Sequence, residues 1–389
     1  MPEIWIPYGP VETLVTIQAE NLGTVVDPKP ERGSVETERL LDNLKGASAL
    51  FICDASPPTT EALHEFVPGI SSSPELRVFA AAPRRVESAI PELKGRITTL
   101  PPPLSREDGD RSSQSRGTGR GAEGGATAIL APEFVIAQEL TQSGGKLFLG
   151  TSRPDPLFGI IDAKTEACLN WVAHSRREAA RARKEMEPSP FEKTKSKETM
   201  DDIAKGITEA KFLDIVPRGG KVRTVLEDAP FDAIKNSFME SAIAPAKAMV
   251  VGTGGKGYDD TLSSAVRTAW NSLSAVRKSG SVVLMAECSE GLGSTALDMA
   301  ATGRLAGEGG SRRSAYVDGI EDFFYLTKLR DEYDVLLLSG LPEVYAKSKL
   351  GLTTARGAGE AVGRLLNKLG RSGKMNVVTR AAECRLTSA

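Results

Sequence analysis

Short apolar runs alternate along the chain with longer stretches in which apolar residues recur three or four positions apart. The runs include Ala49-Leu-Phe-Ile-Cys53, Arg77-Val-Phe-Ala-Ala81, Ala248-Met-Val-Val251, Ser281-Val-Val-Leu-Met285, Asp334-Val-Leu-Leu-Leu338 and Lys374-Met-Asn-Val-Val378. Runs this short, bounded by glycine or turn-forming residues, predict strands buried on both faces. Predicted helices lie over 37–43, 61–66, 164–186, 198–207, 231–241, 261–278, 318–330 and 357–369. Residues 248–293 condense the pattern into strand, glycine loop, long helix, strand and loop. Parallel strands need such a crossover, so this is a predicted βαβ unit. Its loops leave the carboxyl ends of neighbouring strands, where ligands sit in open α/β sheets.

Other elements follow from turn chemistry. Alternation on both sides of Gly9-Pro10 predicts two short strands near the start, and Pro217-Arg-Gly-Gly220 predicts a hairpin between strands at 211–216 and 221–226. A strand is expected at 127–130 and a helix or turn at 134–140. Residues 101–126 are rich in proline, glycine, serine and charge, a composition that predicts a mobile loop. Strand and helix alternate after residue 245, which predicts an α/β fold with mainly parallel sheets. At 389 residues the chain suits two domains, 1–245 and 246–389.

Composition narrows the function. With 49 Lys and Arg against 51 Asp and Glu the formal charge is -2, so no global field favours nucleic acid or membrane. The Arg-Gly content of 101–126 is diluted by acids and does not change that expectation. No apolar run approaches the ~20 residues of a membrane span, and the first residues lack a basic segment leading into an apolar core, so a cytoplasmic protein is expected. Cys53, Cys168, Cys288 and Cys384 are scattered, which predicts reduced, buried thiols. His64 and His174 are the only histidines, so chemistry needing two clustered imidazole bases is hard to build.

Three local patterns carry candidate chemistry, each with a plainer alternative. Asp54 ends a strand and enters a Ser/Thr/Pro turn, which suits a ligand contact and equally a helix cap. Ser143-Gly144-Gly145-Lys146 brings backbone and cation close together, yet is also a common surface turn. Gly252-Thr-Gly254-Gly-Lys-Gly257 matches a dinucleotide fingerprint literally. However, Glu287 stands some 30 residues on, where an acid is expected at about 20.

Gly254-Gly255 with Asp259, the following amphipathic stretch, and Ala286-Glu-Cys-Ser-Glu-Gly-Leu-Gly293 resemble the carboxy-terminal domain of the nickel-dependent lactate racemase family. A fainter likeness extends over most of the chain. The resemblance implies two α/β domains with the active site in the cleft between them, and an isomerase that inverts a small anionic 2-hydroxy acid or sugar acid. It also implies a nickel-pincer nucleotide attached to a lysine of a Ser-Gly-Gly-x-Lys segment. On that basis Ser143, Gly144, Gly145 and Lys146 are the expected cofactor segment. Lys146, Asp54 and Arg267 are expected in catalysis, and Gly254, Gly255, Lys256, Arg267 and Glu287 against substrate.

The chain departs from the pattern where the family keeps histidines. The two histidine bases have no counterpart, and Asn170-Trp171 stands where a metal-binding histidine is expected, with His174 read as a helix-surface residue. No metal ligand is assigned. Three readings remain open: a racemase-fold enzyme with altered or lost nickel chemistry, a non-catalytic binding protein on that scaffold, and a dinucleotide-binding enzyme.

Overall fold

A computed structural model of the chain describes residues 2–31, 42–100, 128–131, 134–142, 144–183, 186–305, 316–370 and 373–389. The loop expected at 101–126 and most of the helix expected at 37–43 lie outside the described residues.

Two six-stranded sheets form the framework. In the first, the spatial order is Lys221–Glu227, Ala210–Arg218, Lys146–Thr151, Ala49–Ile52, Arg77–Ala80 and Ile97–Thr98, all parallel except the first pair, which is the predicted hairpin. The second is wholly parallel and runs Thr353–Ala355, Asp334–Leu338, Val276–Met285, Ala246–Gly252, Met375–Val378 and Leu22–Val26. The predicted α/β architecture with mainly parallel sheets is therefore present. Leu22–Val26 is an edge strand of the second sheet, and the hairpin Glu3–Tyr8/Val11–Thr16 packs its Ile4, Ile6 and Val15 on that sheet's outer face. The first residues thus belong with the carboxy-terminal sheet, a long-range pairing that a boundary at residue 245 does not describe.

Alternation within each strand sorts side chains between layers. Ala49, Phe51 and Cys53 face a core shared with Met249 and Val251 of the second sheet, while Leu50 and Ile52 face the helix Pro57–Ser72 on the outside. Phe79, Phe51, Phe148 and Phe212 stack across four neighbouring strands with ring centroids 4.6–4.9 Å apart. The helices Ala163–Trp171, Leu262–Trp270 and Ile320–Glu332 fill the layer between the sheets.

Three predicted helices are shorter than the periodicity suggests. The stretch 164–186 breaks into Ala163–Trp171 and Ser175–Arg181, because His174 adopts a left-handed conformation (φ 61°) in the turn between them. His174 therefore sits in a turn rather than on a helix surface. The stretch 261–278 stops at Trp270, where Asn271 turns its amide to the carbonyls of Ala381 and Cys384, and the strand begins already at Val276. The stretch 231–241 splits into the helix Phe231–Ser237 and the strand Met239–Ile243, which is drawn into pairing with Cys384–Ser388. All four cysteines are buried and free, as expected. Among the described residues no helix is long and apolar enough to cross a membrane.

One buried carboxylate gives the fold a pH dependence. Asp214 accepts hydrogen bonds from Ala163 N (2.7 Å) and Ser152 Oγ (3.1 Å). Burial, with the Asp162 carboxylate nearby, pushes its pKa up to about 7. The native state thus holds a proton that the unfolded chain releases near pH 4, so this group's contribution to stability falls as pH rises from about 4 to about 7. The expected outcome is that Asp214→Asn flattens that part of the profile, measured as the difference between urea-unfolding free energies at pH 5 and pH 8. An unchanged pH difference would show that Asp214 is ionised throughout.

Candidate functional site

A cavity of about 240 Å³ opens between the two sheets, at the carboxyl ends of strands from both. From the first sheet it receives Asp54 and Ser56 after Ala49–Ile52, Arg85 after Arg77–Ala80, and Thr151, Arg153 and Asp155 at and after Lys146–Thr151. From the second half come Gly257, Tyr258 and Thr261, and the polar face of Leu262–Trp270. On that helix Ser263, Ser264, Arg267 and Thr268 line the cavity, while Leu262, Ala265, Val266 and Ala269 turn to the core, the three- and four-residue spacing of one helix face. Thr261 caps the helix, its Oγ1 accepting from Ser264 N at 3.2 Å.

Four arginines face this space: Arg85, Arg153, Arg176 and Arg267. Their carboxylate partners stand mostly behind them, outside the lining. Arg153 pairs with buried Glu166, and Arg85 with Asp260 and Glu290. Arg176, from the first half, reaches Glu321 and Asp322 of the second. Arg267, from the second half, reaches Asp322 at 2.5 Å and crosses to Asp155 of the first at 3.4 Å. Ser263 Oγ also donates to Asp322 at 2.6 Å. The pairs fix the guanidinium planes yet leave donors over: Nε and Nη1 of Arg153 and Nη1 of Arg176 make no hydrogen bond to described residues. Burial raises the pKa of Glu166, Glu321 and Asp322 against the pull of these arginines.

Asp54 is held rigidly. Its Oδ1 accepts from Ser56 N (2.8 Å) and its Oδ2 from Thr151 N (2.7 Å), while Ser56 is the actual cap of Pro57–Ser72. Asp54 therefore braces the start of the helix without being its cap, and it lines the cavity. Asp155 accepts from Leu157 N and Phe158 N as well as Arg267, and burial raises its pKa.

The other expected site residues fall elsewhere. Lys146 begins the strand whose last residue, Thr151, lines the cavity, which puts them about 16 Å apart along the strand. Its Nζ donates to the carbonyls of Gln142 (2.6 Å), Gly144 (3.1 Å) and Thr208 (2.9 Å), and the residue is buried. Gly144 and Gly145 lie at this same amino end, against Ser48 and Gly46, and Ser143 is outside the described residues. Gly254, Gly255, exposed Lys256 and half-buried Glu287 lie beside the cavity without lining it. Asp259 accepts from Gly9 N (2.7 Å) and Glu287 N (3.3 Å) and so clamps the first hairpin to the glycine loop.

The later amides of that loop are paired within the protein. Lys256 N donates to Gly9 O, Gly257 N to Asp260 Oδ1, and Tyr258 N and Asp259 N to Gly255 O, so these amides are already used. Gly257 needs its small size for a different reason: a Cβ there would stand 3.2 Å from Ser56 and Pro57 of the opposite half.

Arg85, Arg153, Asp155, Arg176 and Tyr258 were missed as site residues. A signal existed for the first three, which are charged residues just past the carboxyl ends of predicted or apparent strands. Arg176 was hidden in a charge run whose simplest reading is a solvated helix face, and Tyr258 in a loop read for its glycines.

No family model and no curated protein matches this chain in sequence. Among solved structures it is similar to the lactate racemase apoprotein from Thermoanaerobacterium thermosaccharolyticum, at 14% identity and a TM-score of 0.70 over 99% of this chain and 100% of that one. It is also similar, at 11% identity and a TM-score of 0.51, to a Thermotoga maritima protein, over 90% of this chain and 97% of that one. The chain has a lactate racemase-like fold.

Proposed function

We propose that this chain uses a lactate racemase-like scaffold to bind a small 2-hydroxy acid or short sugar acid in the cavity between its two sheets, without nickel-pincer chemistry. The observation that carries the reading is the set of guanidinium donors on Arg153 and Arg176 with no partner among the described residues, fixed by buried carboxylates behind them and surrounded by serine and threonine hydroxyls. A planar guanidinium with spare donors recognises a carboxylate in fork geometry. A volume near 240 Å³ is about eight waters' worth, which suits an acid of three or four carbons.

The nickel-pincer nucleotide does not fit these residues. The lining has no histidine, cysteine or lysine. Among the described residues no three His, Cys, Asp or Glu side chains are grouped to hold a metal. Lys146, the expected attachment point, commits its amine to three carbonyls at the other end of the strand.

Calorimetric titration with glycolate, lactate, glycerate and erythronate tests the reading. At least one is expected to bind, and Arg153→Gln is expected to weaken it about 10- to 100-fold, the worth of a hydrogen bond to a charged group. Glu166, left without its partner in that variant, can take up a proton, so the fold should survive. Absence of binding by all four acids would sink the proposal. Racemisation of either lactate enantiomer by polarimetry would replace it with the isomerase reading.

A further inference from the structure

We infer that the amino end of the second sheet carries a separate anion site that takes a compact polyphosphate, the chemistry of a diphosphate group. A cavity of about 660 Å³ opens there, at the far end of Ala246–Gly252 from the cavity between the sheets, about 20 Å along the strand. Every charged residue that lines it is a cation: Lys247, Arg277 and Lys374. In a chain of formal charge -2 this is a local excess and not a reflection of composition. None of the three forms an ion pair with a described residue. The one hydrogen bond among their side chains runs from Arg277 Nε to Pro245 O at 3.0 Å, which leaves Nη1 and Nη2 without a partner among the described residues.

The topology brings these cations together. Ala246 and Val276 pair on neighbouring parallel strands, and Lys247 and Arg277 are the residues that follow them. Lys374 directly precedes Met375–Val378, the strand on the other side of Ala246–Gly252. Like charges on neighbouring strands repel. Nearby acids do not answer them, since Asp334 is turned to Lys368 and Ser281, and Glu240 to Arg385. Nor can the strands part: buried Asn376 accepts from Thr24 N at 3.0 Å and donates to Ala244 O at 3.0 Å, while Asn21 Nδ2 donates to Gly373 O at 2.8 Å. Gly23 fits only because it lacks a side chain, as a Cβ there would stand 2.5 Å from Asn376 Oδ1. The result is a fixed floor with three uncompensated charges above it. A guanidinium edge with two open nitrogens meets one phosphoryl group in fork geometry, and two ammonium groups supply point charges for the next. No aromatic residue lines the cavity, so no base can stack there, and the lining fits a small polyphosphate better than a nucleic acid strand.

The test is calorimetric titration of the full chain with pyrophosphate at about 0.15 M salt, where exposed charges are screened beyond ~8 Å. One equivalent is expected to bind. Arg277→Gln is expected to weaken it about 10- to 100-fold, the worth of hydrogen bonds to a charged group, and Lys247→Gln and Lys374→Gln by about 10-fold each. All three residues are exposed, so these variants should keep the fold. Lys94→Gln, which removes an exposed cation from the first half, should leave pyrophosphate binding as it is. Arg277→Gln should also leave the titrations with small acids unchanged, so the two sites stand or fall separately. Three results would overturn the site: no binding of pyrophosphate by wild type, a loss in Lys94→Gln as large as in Arg277→Gln, or a loss in Arg153→Gln with Arg277→Gln unaffected. The last of these would put the diphosphate in the cavity between the sheets.

Discussion

Asp322→Ala is expected to lower the unfolding free energy by about 3 kcal/mol in urea denaturation, the low end of the cost of removing one partner from a buried ion pair. Asp322 accepts from Arg176 of the first half (3.1 Å) and from Arg267 and Ser263 of the second, and is itself fully buried. Without it two guanidiniums must share Glu321 and Asp155. The low end applies because those acids remain and because burial already makes the ionised form of Asp322 costly, as its raised pKa records. Asp322→Asn keeps acceptors for Ser263 and one arginine and should lose about half as much. Since Asp322 does not line the cavity, its removal should weaken ligand binding only through the freed arginines. A loss under ~1 kcal/mol for the alanine variant would show that the bridge between the halves is not what holds them in register.

Lys146→Met is expected to cost about 2–3 kcal/mol in the same measurement. The methionine fills the volume of the lysine stem but gives nothing to the carbonyls of Gln142, Gly144 and Thr208, which lose a shared charged donor at once. Intact mass spectrometry of the wild-type chain, expressed together with enzymes that make the nickel-pincer nucleotide, should show Lys146 unmodified. A mass increment on that residue, or a variant as stable as wild type, would return it to a functional role. These outcomes separate two uses of the same four residues: a glycine-lysine turn can present its cation to a ligand or tie backbone segments together with it, and here the ties run to Gln142, Gly144 and Thr208.

Much of the fold was legible because burial writes itself locally. Strands such as Ala49–Ile52 and Asp334–Leu338 are apolar over almost their whole length, which only a position between two covering layers explains. The hairpin turn at Gly9-Pro10 and the one after Arg218 announce themselves through residues that tolerate turn geometry. Local periodicity was misleading where a tertiary contact overrode helix propensity, as at Asn271 and at the strand Met239–Ile243. The site was legible only in part for the same reason. Asp54 could be found because it ends a strand, whereas Arg267 was found through the family resemblance alone. Lys146 and Glu287 carry the right chemistry at the wrong place, and nothing within a few residues of either says which end of a strand faces the ligand.

By itself the sequence determined the fold class, the parallel sheets, the reduced thiols and the shortage of imidazole bases, because each follows from residue type, spacing or count along the chain. Only the tertiary structure decided that Arg153 and Arg176 face one cavity, that Arg176 is paired with Glu321 and Asp322, that Lys146 is sealed away, and that the phenol of Tyr258 has no hydrogen-bond partner among the described residues. These facts are relations between residues far apart in the chain, such as Arg176 and Asp322 at 146 positions, whose charges have no local consequence until the two sheets meet. Periodicity reports the environment of a side chain, whereas a site depends on which other side chains share it.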